Sequence, residues 1–269
     1  MSFIKKHRET VKNYITVTEL PGQMASKEQL ARLYQRYNFA NSFCGDRDVL
    51  EIACGAGLGL GYLAKKARSV VGGDIDEDNL KFARSHYTGR SNIILKTLDA
   101  QNMPFENNSF DAVILYEAIY YLKNAGRFFD EAHRVLRHDG FLILCSVNKD
   151  WNDFNPSPFS QRYYSVPELR ELLKEKFDKQ DFYGGFPTSS KGPIEAMVSA
   201  IKKSAVRLHL VPKTMKGKEF FKRLFFGRLY PMPAEIGENM TEYIKPEPIS
   251  PDMPDTFHKI IYVVAHKKR

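Results

Sequence analysis

The sequence predicts an α/β protein built on one mostly parallel sheet with helices on both faces. Three observations predict it. From about residue 48, short apolar runs alternate with helical patterns, as in consecutive strand–helix–strand units. A glycine-rich segment at 51–59 joins the first apolar run to the first helical pattern. The composition is ordinary for a globular chain: 269 residues, 43% hydrophobic and 27% charged, which excludes wholesale disorder and leaves ample length for a core.

The elements follow in order. A helical pattern at 27–43 precedes a buried strand at 48–53, and a second helix spans 58–66 with glycines at its start. The second strand is 69–74. The helix at 78–86 carries acids at its N-terminal end, where the helix dipole favours them. Strands at 93–98 and 110–115 come next, then a helix at 127–136 that His138-Asp139-Gly140 ends. A fifth strand (141–147), a helix (166–176) and a sixth strand (178–186) complete the alternation, and residues 258–265 read as a seventh strand. Between the last two strands the rhythm lapses. Residues 187–255 hold helical stretches at 194–208 and 220–225 and end in prolines. The chain therefore divides into an N-terminal helical cap (1–47), a core (48–186), a basic helical insertion or lid (187–255) and a final core strand (256–269).

The net charge of +8 is unevenly placed: between residues 187 and 232 lie ten Lys/Arg and two Asp/Glu, so the rest of the chain is close to neutral. Three readings of that basic segment stay open. It is a solvated lid with an apolar underside. Or it makes a peripheral membrane or lipid-linked-substrate contact, through the interleaved aromatics and cations of 220–228. Or it binds nucleic acid, for which no RNA-binding module is visible. No stretch approaches the ~18 apolar residues of a membrane span, and the first ten residues lack the apolar core of a secretory signal. Cys44, Cys54 and Cys145 form no CxxC pair, which argues against a zinc site or a disulfide framework and for a reducing, cytoplasmic setting, membrane-associated if the basic segment meets lipid. No His/Asp/Glu cluster has metal-ligand spacing.

The glycine loop, Glu51-Ile52-Ala53-Cys54-Gly55-Ala56-Gly57-Leu58-Gly59, sits where a ligand meets the carboxyl end of a strand. A dinucleotide fingerprint would need glycine at position 60 or 62, which are Leu60 and Tyr62, so GxGxxG fails in both registers. Glu51, four residues ahead of the first loop glycine, is misplaced for a pyrophosphate and well placed for an amino group.

In this arrangement the chain resembles the class I S-adenosylmethionine-dependent methyltransferases of the small-molecule, type 11 group, over roughly residues 45–180. Glu51-x-Ala53-Cys54-Gly55-x-Gly57 is similar to the family's first motif, whose loop cradles the methionine part of S-adenosylmethionine. Asp74 matches the acid that binds the ribose hydroxyls, and Ile75 the apolar residue packed on adenine. Leu98-Asp99-Ala100 matches the motif that accepts the adenine amino hydrogen. Residues 110–115 with Tyr116-Glu117 resemble the fourth strand and its active-site end. Residues 134–140 resemble the RVLRPGG turn, with His138-Asp139 in place of Pro-Gly. The resemblance implies a Rossmann-like fold of seven strands ordered 3-2-1-4-5-7-6 with the last antiparallel. It also implies a cofactor site drawn from Glu51, Ala53, Gly55, Gly57, Asp74, Ile75, Asp99, Ala100, Tyr116 and Tyr34, with Tyr34 and Tyr37 of the preceding helix closing over it.

Methyl transfer from a sulfonium is an in-line displacement with a good leaving group. The protein chiefly supplies alignment and water exclusion, and a base is needed only for a hydroxyl acceptor. Many relatives place a histidine after strand four. Here 119–122 reads Ile-Tyr-Tyr-Leu, which leaves Glu117, Tyr120, Tyr121 and Tyr164 as candidates, with Glu117 and Tyr121 foremost as substrate contacts. Cys54 reads as a packing residue, and His133 and His138 as structural or solvated. Asn155-Pro156-Ser157-Pro158-Phe159 lies after strand five. It is therefore not the base-methylating motif it superficially resembles, but part of an active-site-rim loop at 150–164 rich in aromatics (Trp151, Phe154, Phe159, Tyr163, Tyr164). The expected activity is O-methylation of a small-molecule, sugar or lipid-linked acceptor. RNA or protein methylation and a non-catalytic S-adenosylmethionine-binding module are the alternatives, and an NAD-dependent reductase is a weaker one.

Overall fold

A computed structural model describes Tyr14, residues 17–188 and residues 228–268. Its seven principal strands are β1 (Asp48–Ile52), β2 (Ser69–Asp74), β3 (Ile93–Thr97), β4 (Phe110–Tyr116), β5 (Leu136–Val147), β6 (Phe177–Pro187) and β7 (His258–Lys267). They form one sheet in the order β3-β2-β1-β4-β5-β7-β6, as expected, with the two-residue strand Glu247–Pro248 added outside β6. The five strands from β3 to β5 pair in parallel. β7 runs antiparallel to both neighbours, with Tyr262 opposite Cys145 on one side and Tyr183 on the other.

Alternation along the strands sends side chains to two cores. Val49, Val70, Ile114 and Ile143 pack with α1 (Lys27–Asn41), α2 (Leu60–Ala64) and α3 (Glu77–His86). Leu50, Val71, Val113 and Leu142 pack with α4 (Ala125–Val135) and α5 (Val166–Leu173). The helices begin where the sequence supplies caps. Ser26 with Gln29, and Ser165 with Glu168, form capping boxes. The side chains of Asp76 and Asn124 accept first-turn amide hydrogens of α3 and α4.

Two details differ from the sequence reading. Residues 136–140 are not a free turn but the start of β5, where the register to β4 shifts between Phe110 and Ala112. Asp139 takes φ 62° there, so the chain absorbs the turn as an irregularity within a long strand. The helical stretches expected at 194–208 and 220–225 lie outside the described residues. The described part of the insertion, 187–188 and 228–255, contains no helix. It wraps the body: Tyr230–Pro231 pairs with Met24–Ala25, the Ile236 amide donates to Leu58, and the Gln35 side chain donates to the Ile244 carbonyl. No helix among the described residues is long and apolar enough to cross a membrane.

Candidate active site

A cavity of about 700 Å³ opens at the carboxyl ends of β1, β2 and β4, next to the point where strand order reverses. Glu51, Ala53, Asp74, Ile75, Asp99, Ala100, Tyr116, Glu117 and Tyr121 all line it, so the structure gathers nine of the predicted residues into one wall.

The glycine loop builds the floor. Ala53 adopts φ 56° at the end of β1 and Gly55 adopts φ 57°, which turns successive backbone groups toward the strand ends. The Gly55 amide donates to Asp74 Oδ2 at 2.8 Å, and the Asp76 amide donates to Asp74 Oδ1 at 2.9 Å. These bonds fix the carboxylate's orientation and leave each oxygen a further lone pair for a ligand hydroxyl. Burial pushes the Asp74 carboxyl above its ordinary range, against the pull of the two amides. Gly55 and Gly57 are absent from the lining; they act through backbone shape. Beside Asp74, Ile75 is 55% exposed, an apolar side chain held at the cavity with Leu98 and Ala100 nearby. Such a surface suits the face of a flat heterocycle. Asp99 is held by the Gln101 amide at 2.8 Å.

At the other end of the cavity Glu51 is 1% exposed. Burial pushes its carboxyl up to about 7, although Tyr37 and the nearby Arg36 charge both favour ionisation. Tyr37 donates its hydroxyl to Glu51 Oε1 at 2.5 Å, while Glu51 Oε2 is buried without a partner. An orphaned carboxylate oxygen in a cavity wall is a place for a cationic donor. Tyr37 reaches Glu51 only because residue 59 is glycine: a Cβ there would stand 1.8 Å from the Tyr37 ring.

Tyr34, expected at the site, does not line the cavity. It is buried against Tyr62 and Tyr243 and accepts hydrogen bonds from Asn38 and the Asn239 amide. Helical geometry decides between the two tyrosines, since Gln29, Arg32, Leu33, Arg36 and Tyr37 form the i, i+3, i+4, i+7, i+8 stripe of α1 that faces the cavity. Arg36 is the notable omission from the sequence reading. Only 8% exposed, it carries a salt bridge to Glu19. Burial disfavours its charge, but Glu19 and Glu117 outweigh that and hold it protonated. With Gln29 and Arg32 on the same helical stripe, the sequence held no signal that Arg36 is the buried one. Residues 17–19 carried none. They reach the cavity through tertiary contacts, Thr18 accepting from the Asn79 side chain, and Tyr14 joins them by donating its amide to Asp76 Oδ2 at 2.8 Å.

Beyond β4 the wall becomes aromatic. Glu117 adopts φ 52° and its amide donates to the Cys145 carbonyl. Tyr120 donates its hydroxyl to Glu117 Oε2 at 2.9 Å. Burial pushes the Tyr121 phenol up to about 12 and the Tyr120 phenol upward as well, so both stay protonated at neutral pH. Tyr14 packs edge-on against Tyr121. The aromatics of 150–164 do not line the cavity. Tyr163 instead stacks on Tyr120 at 4.8 Å with Phe154 behind it, a support for the wall rather than its surface. No residue of 228–257 lines the cavity. His133 and His138 are likewise absent from it, and Cys54, which borders it, is buried with its thiol pushed far upward.

Residues 50–144 match the family described as methyltransferase domain. A probable S-adenosylmethionine-dependent methyltransferase of Mycolicibacterium smegmatis is 30% identical over 158 residues, covering 57% of this chain and 60% of that protein. Phthiotriol/phenolphthiotriol dimycocerosates methyltransferase 1 of Mycobacterium ulcerans is 33% identical over 137 residues, covering 47% and 50%. The chain thus spans about half to three-fifths of the length of these curated relatives. Among solved structures, a methyltransferase of Thermotoga maritima described as a possible histamine N-methyltransferase shares the fold with TM-score 0.58 at 15% identity, covering 89% of this chain and 92% of that one. Residues 50–144, whose strand ends carry this cavity, thus match a methyltransferase domain, and the chain around them is similar to S-adenosylmethionine-dependent methyltransferases.

Proposed function

We propose that the protein transfers a methyl group from S-adenosylmethionine to a hydroxyl of a small-molecule, sugar or lipid-linked acceptor. The observation that carries the cofactor reading is the graded wall of the cavity: Ile75, which is exposed, and half-buried Asp99 at one end, amide-held Asp74 in the middle, and Glu51 with an orphaned oxygen at the other. That order fits adenine, ribose and the methionine ammonium in turn. S-adenosylmethionine supplies a methyl on a sulfonium, whose departure needs no acid. The chain's work is therefore to align the acceptor and exclude water, effects worth about 7–11 kcal/mol where orientation is well set.

The acceptor end is the wall beyond β4. Tyr14, Tyr120 and Tyr121 exclude water there, and protonated phenols of this kind do not take a hydroxyl proton. Glu117 is the carboxylate placed to do so, with its turn anchored by the Cys145 carbonyl and its side chain by Tyr120. Tyr121 is assigned a contact with the acceptor. The M. ulcerans relative named for dimycocerosates supports a lipid acceptor, as does the basic, aromatic run at 220–228 as a peripheral membrane contact.

The test begins with calorimetric binding of S-adenosylhomocysteine to the full chain. Labelled-methyl transfer into fractionated extract follows. Label in lipid, glycan or small-molecule fractions supports the proposal, and label in RNA or protein replaces it with the alternative acceptor class. Cofactor binding without transfer to any fraction points to a binding module.

A further inference from the structure

The cofactor reading leaves one charge unassigned. S-adenosylmethionine carries a sulfonium, an α-ammonium and an α-carboxylate. The cavity wall holds seven carboxylates against three cations, which suits the two positive groups. Of the three cations, Lys123 is exposed and Arg32 is paired with Glu28. Arg36 alone is buried, and it adjoins Tyr37, whose hydroxyl sits on Glu51. The end of the cavity that offers Glu51 to an ammonium therefore also offers a guanidinium to a carboxylate. In this structure a carboxylate already meets it: Glu19, from an irregular segment, forms a salt bridge to Arg36 Nη2, with side chains 9% and 35% exposed for Arg36 and Glu19.

We propose that Arg36 holds the α-carboxylate of the cofactor, and that Glu19 occupies that position in the free protein and gives way when the cofactor binds. The inference rests on the cofactor reading above. A buried guanidinium stripped of its partner is costly, so the position needs an anion in both states. Glu19 supplies one when the cofactor is absent. It belongs to neither helix nor strand and is already one-third exposed, so returning its carboxylate to water requires little of the fold. Exchange of one carboxylate for another leaves the net charge at Arg36 unchanged. In this scheme Glu19 is an internal competitor that lowers affinity modestly, and Arg36 is a positioning residue for the methionine end.

The test compares two ligands on the full chain by calorimetry. S-adenosylhomocysteine carries the amino-acid end, and 5′-methylthioadenosine lacks it. Arg36→Met is expected to weaken S-adenosylhomocysteine by ~30-fold or more, the effect of removing one partner of a buried charge pair, while leaving methylthioadenosine unchanged. Glu19→Gln is expected to tighten S-adenosylhomocysteine about two- to fivefold, the range for releasing an ion pair whose carboxylate is partly exposed, again without effect on methylthioadenosine. Weaker or unchanged S-adenosylhomocysteine binding in Glu19→Gln overturns the exchange. Equal losses for both ligands in Arg36→Met make Arg36 structural and overturn its role. Should Arg36→Met not fold, Arg36→Lys keeps the charge and loses the fork, and a selective loss for S-adenosylhomocysteine is still required. Wild-type protein that binds neither ligand refutes the cofactor reading itself, a result distinct from binding both ligands equally, which refutes Arg36 and Glu51 as the groups that hold the amino-acid end.

Discussion

Glu51 gives the sharpest test of the site's electrostatics without any ligand. Its carboxyl is pushed from an ordinary 4.5 up to about 7 because it is wholly buried, and one of its oxygens has no partner. A carboxyl whose value rises on folding binds its proton more tightly in the native state. Its contribution to stability is therefore fully present below pH 4.5 and is lost as pH rises through about 7. The whole gap corresponds to about 3 kcal/mol, of which about 2.5 kcal/mol develops between pH 5 and pH 8. Glu51→Gln keeps the oxygen that accepts from Tyr37 and removes the titration. Denaturant unfolding of wild type and variant at several pH values isolates this group, since all other titrating residues cancel in the difference. The variant is expected to match the wild type within about 1 kcal/mol at pH 5 and to exceed it by about 3 kcal/mol at pH 8. A difference that does not change with pH would show that Glu51 is already ionised in the fold. The orphaned oxygen would then be solvated, and the reading of this end as a waiting cation site would fail.

Four further outcomes are expected. Affinity for S-adenosylhomocysteine falls about tenfold between pH 8 and pH 6 in the wild type and stays flat in Glu51→Gln, because a protonated Glu51 must ionise to face an ammonium; titration calorimetry at the two pH values reads this directly. Asp74→Ala and Gly55→Val each abolish cofactor binding with the chain still folded by circular dichroism. The first removes the amide-held carboxylate, and the second places a side chain at φ 57° within 2.9 Å of Thr18; unchanged affinity in both would sink the site assignment. Gly59→Ala drives its methyl into the Tyr37 ring, so it is expected to destabilise the chain by about 1–3 kcal/mol and to weaken cofactor binding through Glu51. Glu117→Gln lowers kcat on a hydroxyl acceptor by about 10²- to 10⁴-fold with cofactor affinity intact, and Tyr121→Phe has a far smaller effect on kcat.

The strand positions were legible in the sequence because they are encoded locally, while their order and the residues that line the cavity were implied by the resemblance of ordered motifs to a known family. A parallel strand announces itself by a run such as Val113 to Leu115. The ligand-facing residue follows at its carboxyl end, so Asp74, Asp99 and Glu117 could be placed once the ordered motifs brought out the resemblance to a known family. The choice of Tyr37 over Tyr34 was not legible, because it depends on which face of α1 meets β1 and on a ring fitting against Gly59. Arg36 was missed since an arginine in a surface-like helix reads as solvated until its neighbours are known. The turn expected at 138–140 failed for a related reason: positive φ at Asp139 marks a local reversal, and only pairing with β4 shows that the strand continues through it.

The two halves of the cavity differ in how the chain supplies them, and this bears on why the cofactor is easier to infer than the acceptor. The cofactor half comes from strand ends within residues 50–144, the segment that matches the methyltransferase domain family. Opposite it stand Glu19, Arg36 and Tyr37, and they come from residues before that segment. They are placed by long-range contacts: Tyr14 against Tyr121, Tyr37 on Glu51, and the Tyr116 hydroxyl donating to the Arg36 carbonyl. A shared methyl donor would constrain the first group alike in relatives that use it. The second group faces the same donor from the outside and also borders whatever approaches it. Selectivity for the acceptor is therefore expected to lie in the contacts between α1, residues 17–20 and the turn after β4, where Glu117 stands within reach of both the Arg36 charge and the tyrosine wall.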